Sequence, residues 1–359
     1  MRKIFLVLIL GTFQLSAQAS DWSGVRYLED QNALWSLRAN DLQTPKLEPI
    51  YQQIYQSVSQ EKLQTVLKQM TGVVPVTVNG VTFSITDRYL PASKAKFRAF
   101  WLDYFQKLGI TAKELPFDTR HHIGERQGHN LEAVLPGKSK NTVIVVVHYD
   151  STGPGGDEAG NPAVDDDMTG MSTLMETARI LAAHRNELQN TIRFVGVDYE
   201  EHSFPGLEGS RQYVKYLKNL AQAEGFKILA AVDNEQSGWN CIGEKACSGG
   251  DKPIVDIFSC SGDFKGHDYK ELGDSLERIV AQFASKLEPS RGCIGENSDH
   301  YAFWEIGVPA VVFSEHNPFS NPHFDGAGGD TYEKIDQNYF FSIAQVGVTF
   351  AATLAGLKP

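Results

Sequence analysis

Positive charge is in short supply in this chain: 33 Lys and Arg stand against 44 Asp and Glu, a formal net charge of −11. Nonspecific nucleic-acid binding rests on basic side chains that neutralise phosphates, so the balance argues against it. After the N-terminus no stretch approaches the roughly 20 apolar residues a bilayer-spanning helix needs, which excludes a polytopic helical membrane protein. Cysteine is scarce, with four residues and no C-x-x-C pair, so the strong zinc-finger signal is missing. There is no internal repeat and no low-complexity tract. What is present, 42% hydrophobic and 21% charged residues, excludes disorder, collagen and a long coiled coil. The length fits one large α/β domain or two medium ones.

The first residues carry an address. Arg2 and Lys3 precede the apolar run Ile4 to Leu10, and Ala17-Gln18-Ala19 supplies the small-x-small pattern of a cleavage site. That layout predicts a secretory signal peptide over residues 1–19 and a mature protein that is exported, periplasmic or secreted. In an oxidising compartment four cysteines suggest disulfides, and the preferred pairing is Cys241 with Cys247 and Cys260 with Cys293.

Residues 20–75 read as a mainly helical extension, with Leu47, Ile50, Ile54 and Val58 at spacings of three and four. Val74 to Ile85 alternates around Asn79-Gly80, a hairpin signal. Ser93 to Leu108 reads as an amphipathic helix ended by Gly109. Beyond it, strands alternate with helices. Thr142–Val147 is a continuous β-branched run, the mark of a strand buried on both faces. Further strands are expected at Ile192–Val197, Ile228–Val232 and Ala310–Phe313. Helices are expected at Met168–Ala183, 205–220, 272–287 and 337–354. The pattern predicts a three-layer α/β/α sandwich around a mostly parallel mixed sheet, occupying residues 76–359.

Ligands of such sheets bind outside the carboxyl ends of the strands, and there the acids and imidazoles of this chain gather. His148-Tyr149-Asp150 follows the first strand, Asp165-Asp166-Asp167 precedes a helix, Glu200-Glu201 follows the second strand and Asp233 ends the third. His323 follows the last. Each alone has a bland explanation, such as N-capping for the Asp triplet or a solvated pair for the two glutamates. Together they would crowd several negative charges into one crevice, which makes sense mainly if cations fill it. Imidazole and carboxylate ligands suit Zn²⁺, and their number exceeds what one tetrahedral ion takes. Two zinc ions sharing a carboxylate account for it. The remaining histidines, such as His129 and His184, read as surface or locally bonded, and His300 as support for the site.

These blocks resemble, in order, the zinc-dependent peptidase family that includes the secreted bacterial dizinc leucyl aminopeptidases. The blocks are H-Y-D-S at 148–151, A-V-D-D-D-M-T-G at 163–170, Y-E-E at 199–201, V-D-N at 232–234, S-D-H at 298–300 and H…D-T at 323–331. The family shares its fold with glutamate carboxypeptidases and glutaminyl cyclases. The resemblance implies that His148 and Asp233 hold one zinc, Glu201 and His323 the other, and that Asp165 bridges them. Glu200 is implied as general base, with Asp150 orienting His148. An aminopeptidase acting on peptides with a free N-terminus, monomeric and without nucleic-acid partners, is the activity implied. A single-zinc glutaminyl cyclase-like transferase and a carboxypeptidase are the alternatives. Three departures stand out. Six residues separate His323 from Asp330, which leaves His316 as a rival last ligand. Pro205 interrupts the usual E-E-x-G-L spacing. Gly295 replaces a tyrosine that in the relatives stabilises the oxyanion.

Overall fold

A computed structural model describes residues 49–119, 126–153, 159–201, 206–243, 252–261, 269–323 and 329–357. The expected signal peptide lies outside them. All described residues belong to one compact unit of the chain, Leu34–Pro359.

Two helices open the described part, α1 (Pro49–Ser57) and α2 (Gln60–Met70), the second capped by the Ser59 side chain, which accepts from Lys62 N. A short hairpin follows, β1 (Val76–Val78) and β2 (Val81–Phe83), turning on Asn79 and Gly80. Both turn residues have positive φ, 49° and 79°, the requirement of the two-residue turn that the Asn-Gly pair foretells. Helix α3 (Pro91–Lys107) starts with proline in its first turn, where the missing N–H costs nothing.

The main sheet has eight strands: β3 (Thr111–Asp118), β4 (Gln127–Leu135), β5 (Ser139–His148), β6 (Asn190–Val197), β7 (Ile228–Asn234), β8 (Ile254–Ser261), β9 (Glu288–Ile294) and β10 (Ala310–Glu315). Their spatial order is β3-β4-β6-β5-β7-β10-β8-β9. The central pairs β6/β5, β5/β7 and β7/β10 are parallel, while β3/β4, β4/β6 and β10/β8 are antiparallel. The mixed, mostly parallel sheet is therefore as expected. Alternate residues of β5 feed its two faces. Val145 and Val147 join a core with α3, α4 (Gly170–Ala183) and α8 (Gln337–Ala355). Ile144 and Val146 pack instead with α5 (Glu208–Glu224) and α7 (His300–Glu305). Helix α6 (Lys270–Phe283) covers β8 on the α8 side. Each fully buried Val, Leu or Phe contributes on the order of 1.5–3 kcal/mol.

The two N-terminal helices are stitched to this sandwich. Ser172 of α4 donates to Leu63 O at 2.9 Å, and Ser59 N donates to Glu176 at 2.8 Å. Arg88, fully buried, spends its guanidinium on backbone oxygens of Tyr149, Met70, Pro162 and Ala163. That single side chain ties the end of α2 to the loop after β5 and to the turn before α4.

Candidate metal centre

The register of the central strands lines up their carboxyl ends. His148 at the end of β5 lies opposite Val197 of β6, and Val146 opposite Asp233 of β7. Because β6 and β7 flank β5 on opposite sides, their following loops diverge and leave a crevice between them. A cavity of about 150 Å³ occupies it, lined on its polar side by His148, Asp166, Glu200, Glu201, Glu235 and Gln236. Ile294, Val312, Pro318 and Phe319 also line it.

At the centre, the ligand atoms of His148, Asp166 and Glu235 all lie within 4.8 Å of one another, and all three residues are buried. His148 Nε2 is 3.0 Å from Asp166 Oδ1. Behind the ring, Nδ1 lies 3.3 Å from Asp150 O and 3.7 Å from Asp150 Oδ1. The Asp150 carboxylate accepts the backbone amides of both Glu200 (3.1 Å) and Glu201 (3.2 Å). One aspartate thus joins the loop after β5 to the glutamate pair after β6.

The Asp triplet does not form the first turn of a regular helix. A wide turn spans Val164–Thr169, and the backbone of Asp166 (φ −110°, ψ 92°) and Asp167 (φ −131°, ψ 53°) leaves the helical region. Asp330 clamps it, accepting Asp165 N at 2.8 Å and Asp166 N at 3.0 Å. Asp167 caps α4 by accepting Gly170 N. A Cβ at position 170 would meet Asn234 O at 2.0 Å, so only glycine lets the helix start this close to β7.

The three successive aspartates consequently face three ways, and the expected bridging residue is not the one at the centre. Asp165 is committed elsewhere: it accepts Ser237 N (3.0 Å), Gly238 N (2.7 Å) and Asn321 Nδ2 (3.0 Å). Asp166 is the residue that faces His148. A similar displacement occurs on β7. Asp233 is buried one step earlier on the strand, accepting Ser298 Oγ and His300 N, both at 2.9 Å. Glu235, two residues on and so further along the same side of the strand, is the carboxylate that joins His148. The pattern V-D-N-E-Q offers two acids at an interval of two, and Glu235 is the one whose carboxylate lies near His148 and Asp166. Glu200 and Glu201 both line the cavity. His323 donates its backbone N–H to Asn321 Oδ1 at 2.9 Å and is not among the cavity-lining residues described; residues 324–328 after it lie outside the described part. His316 engages Asp256 of β8 through Nδ1 at 2.9 Å. His129 and His184 pair locally with Glu114 and Glu187.

Electrostatics mark the centre as unbalanced. Burial raises the Glu200 carboxyl well above the usual range; His148 opposes the shift, and Glu201, Asp299 and Glu235 reinforce it. Glu235 is pushed up to about 8 by burial, with Asp233 and Asp166 adding to it against His148. Burial would lower the His148 pKa, but hydrogen bonds to Asp150 and Asp166 raise it well above normal. Among the described residues no lysine or arginine pairs with Asp166, Glu200 or Glu235. Asp299, fully buried, has no hydrogen-bond partner on either carboxylate oxygen. A bound cation would supply the missing positive charge, and an imidazole with carboxylate oxygens is a donor set that suits zinc.

The disulfide Cys260–Cys293 joins β8 to β9, just before Ile294 of the cavity wall. Cys241 is also disulfide-bonded, while Cys247 lies outside the described residues.

Residues 130–351 match the model of peptidase family M28, and the chain belongs to that family. A probable leucine aminopeptidase of Trichophyton verrucosum is 29% identical over 232 residues, covering 63% of this chain and 56% of that protein. One from Arthroderma otae is 27% identical over 231 residues, covering 63% and 57%. The chain thus spans just over half the length of these curated relatives. Among solved structures, the Legionella pneumophila LapA aminopeptidase superposes with a TM-score of 0.68 at 18% identity, covering 90% of this chain and 77% of that one. A Porphyromonas gingivalis glutaminyl cyclase does so at 0.61 and 16% identity, covering 82% and 98%. At these identities the structural likeness speaks for the fold.

Proposed function

We propose that this chain is an exported zinc aminopeptidase that hydrolyses the first peptide bond of substrates with a free N-terminus. The observation that carries the reading is the meeting of His148, Asp166 and Glu235 within 4.8 Å, beside the buried Glu200 in one cavity. We assign Asp166 the bridging place expected of Asp165, and Glu235 the place expected of Asp233. His148, Asp166 and Glu235, with Glu201 and His323, would then hold two zinc ions. When bound, zinc polarises the scissile carbonyl and lowers the pKa of water towards about 7.

The chain's own groups do the rest. Glu200 takes a proton from the attacking water and returns it to the leaving amine, and burial raises its carboxyl above the usual range, in the direction that favours holding the proton. Asp150 positions both glutamates through their amides and flanks His148. The apolar wall of Ile294, Val312, Pro318 and Phe319 receives the first side chain of the peptide. The disulfide Cys260–Cys293, next to the cavity-lining Ile294, supports an oxidising compartment.

The test is release of free amino acids from unblocked peptides, with and without chelator. Release that stops on chelation, returns with zinc and is abolished by N-terminal acetylation is expected. Equal cleavage of acetylated peptides would refute an exopeptidase that reads the free amine. Release from the C-terminus alone would make it a carboxypeptidase, and cyclisation of N-terminal glutamine without hydrolysis a transferase.

A further inference from the structure

Asp166 has two carboxylate oxygens, and only one of them faces His148. The other, Oδ2, accepts a hydrogen bond from Gln236 Nε2 at 2.6 Å. A carboxylate oxygen here can only accept, so the contact sets the orientation of the amide: nitrogen toward Asp166, oxygen away. Gln236 is buried, and its Oε1 has no hydrogen-bond partner. Its backbone is held in place, because Glu315 N donates to Gln236 O at 2.6 Å and Glu235 N to Phe313 O at 3.1 Å. The side chain therefore reaches the acid cluster from a fixed anchor on β10.

We propose that Gln236 is a positioning residue that makes the two metal sites unequal, by occupying the Asp166 oxygen that a bridging carboxylate must offer to a second ion. The inference rests on the two-ion reading above. His148, Asp166 and Glu235 can gather around one cation while Asp166 contributes Oδ1 alone. A second cation has to share Oδ2 with the Gln236 amide or displace it, and either way it competes with a hydrogen bond to a charged oxygen. It therefore binds more weakly than the first, by about ten- to a hundredfold, equivalent to about 1.4–2.8 kcal/mol at 1.4 kcal/mol per factor of ten.

The test counts zinc bound per chain as the chelator-stripped full chain is titrated in free-zinc buffers, with circular dichroism to check the fold. The unaltered protein should fill in two steps at least tenfold apart. Gln236→Met keeps the volume and removes the donor, so the gap should narrow by about ten- to a hundredfold while the first step moves little. Gln236→Glu, which replaces the donor with another acceptor for metal, should also tighten the second step. One ion in the unaltered chain and two in Gln236→Met would support the proposal equally. Equal steps in the unaltered chain, or an unchanged gap in Gln236→Met, would overturn it. One ion in every variant would overturn both the proposal and the two-ion reading, and no zinc in any would overturn the metal centre itself.

Discussion

Glu132 on β4 and Glu235 at the end of β7 are both buried carboxyl groups of the same sheet, and their surroundings are opposite. Glu132 is neutralised by the chain itself. Arg193 reaches it at 2.7 Å, Lys113 at 3.3 Å, and the hydroxyls of Tyr213 and Tyr216 complete its shell at 3.0 and 3.3 Å. Asp198, nearby, has the buried Lys94 at 2.6 Å. Among the described residues Glu235 has the Ser298 hydroxyl, the His148 imidazole and further acids around it but no lysine or arginine, and Ser298 also contacts Asp233. Arg88, near enough to Asp150 and Glu201 to interact with their charges, spends its guanidinium on backbone carbonyls. A chain able to pair its buried acids in one place has left them unpaired in another. The physical meaning is that the second set is completed by something the chain does not encode, and a divalent cation is the economical partner.

The sharpest way to break this comparison is at Glu200, which the reading separates from its neighbour. Glu200→Gln cannot accept a proton, so kcat should fall by about 10²–10⁴-fold while zinc content is retained. Glu201→Gln should instead lower zinc content, with activity partly restored by excess zinc. Metal loss at Glu200 and a purely catalytic defect at Glu201 would exchange their roles.

A second test contrasts the two acid sites by stability. Glu132→Ala strands the buried Arg193, and breaking such a pair typically costs about 3–5 kcal/mol. Denaturant unfolding should show that loss, with zinc binding unchanged. Glu235→Gln in the chelated protein should cost little, because a carboxyl pushed up to about 8 is largely neutral at pH 7 and the amide keeps its size. A loss at Glu235 as large as that at Glu132 would mean the chain compensates both sites alike.

The third concerns pH. Burial raises Asp165 to about 6 from 3.8, and Glu235 to about 8 from 4.5. Both folded values lie above the unfolded ones, so the folded state holds these protons more tightly. Their contribution is fully present below the unfolded values and is lost as pH rises through the folded values. The chelated protein should therefore be more stable at pH 5.5 than at pH 8, by roughly a few kcal/mol, and melt at a higher temperature there. Zinc should narrow the difference, and a Tm of the chelated protein independent of pH across that window would contradict the unbalanced cluster.

Much of this molecule can be read along the chain. The run TVIVVV becomes β5 because only a strand covered on both faces tolerates unbroken apolar residues, and Asn79-Gly80 turns where it should. The strands β3, β4, β8 and β9 and the short α7 are not foretold. Of these, β3 and β9 are edge strands with exposed or half-buried residues over most of their length, and β3 carries Pro116 inside it. Such segments show neither clean alternation nor a continuous apolar run. Their pairing is decided by neighbours far away in sequence.

The same division runs through the site. That acids and histidines collect at the carboxyl ends of parallel strands is determined by sequence, because strand runs and the residues after them are adjacent in the chain. Which acid of each group reaches the centre was decided by tertiary structure. Asp165 and Asp166 are chemically identical neighbours, and a turn whose backbone leaves the helical region, clamped by Asp330 from 164 residues away, sends one to Ser237 and Gly238 and the other to His148. Asp233 lies within β7 and Glu235 just past its end, so where β7 stops decides which of the two stands beside His148. Side-chain direction at a turn and the end point of a strand depend on long-range hydrogen bonds, and local sequence does not encode those.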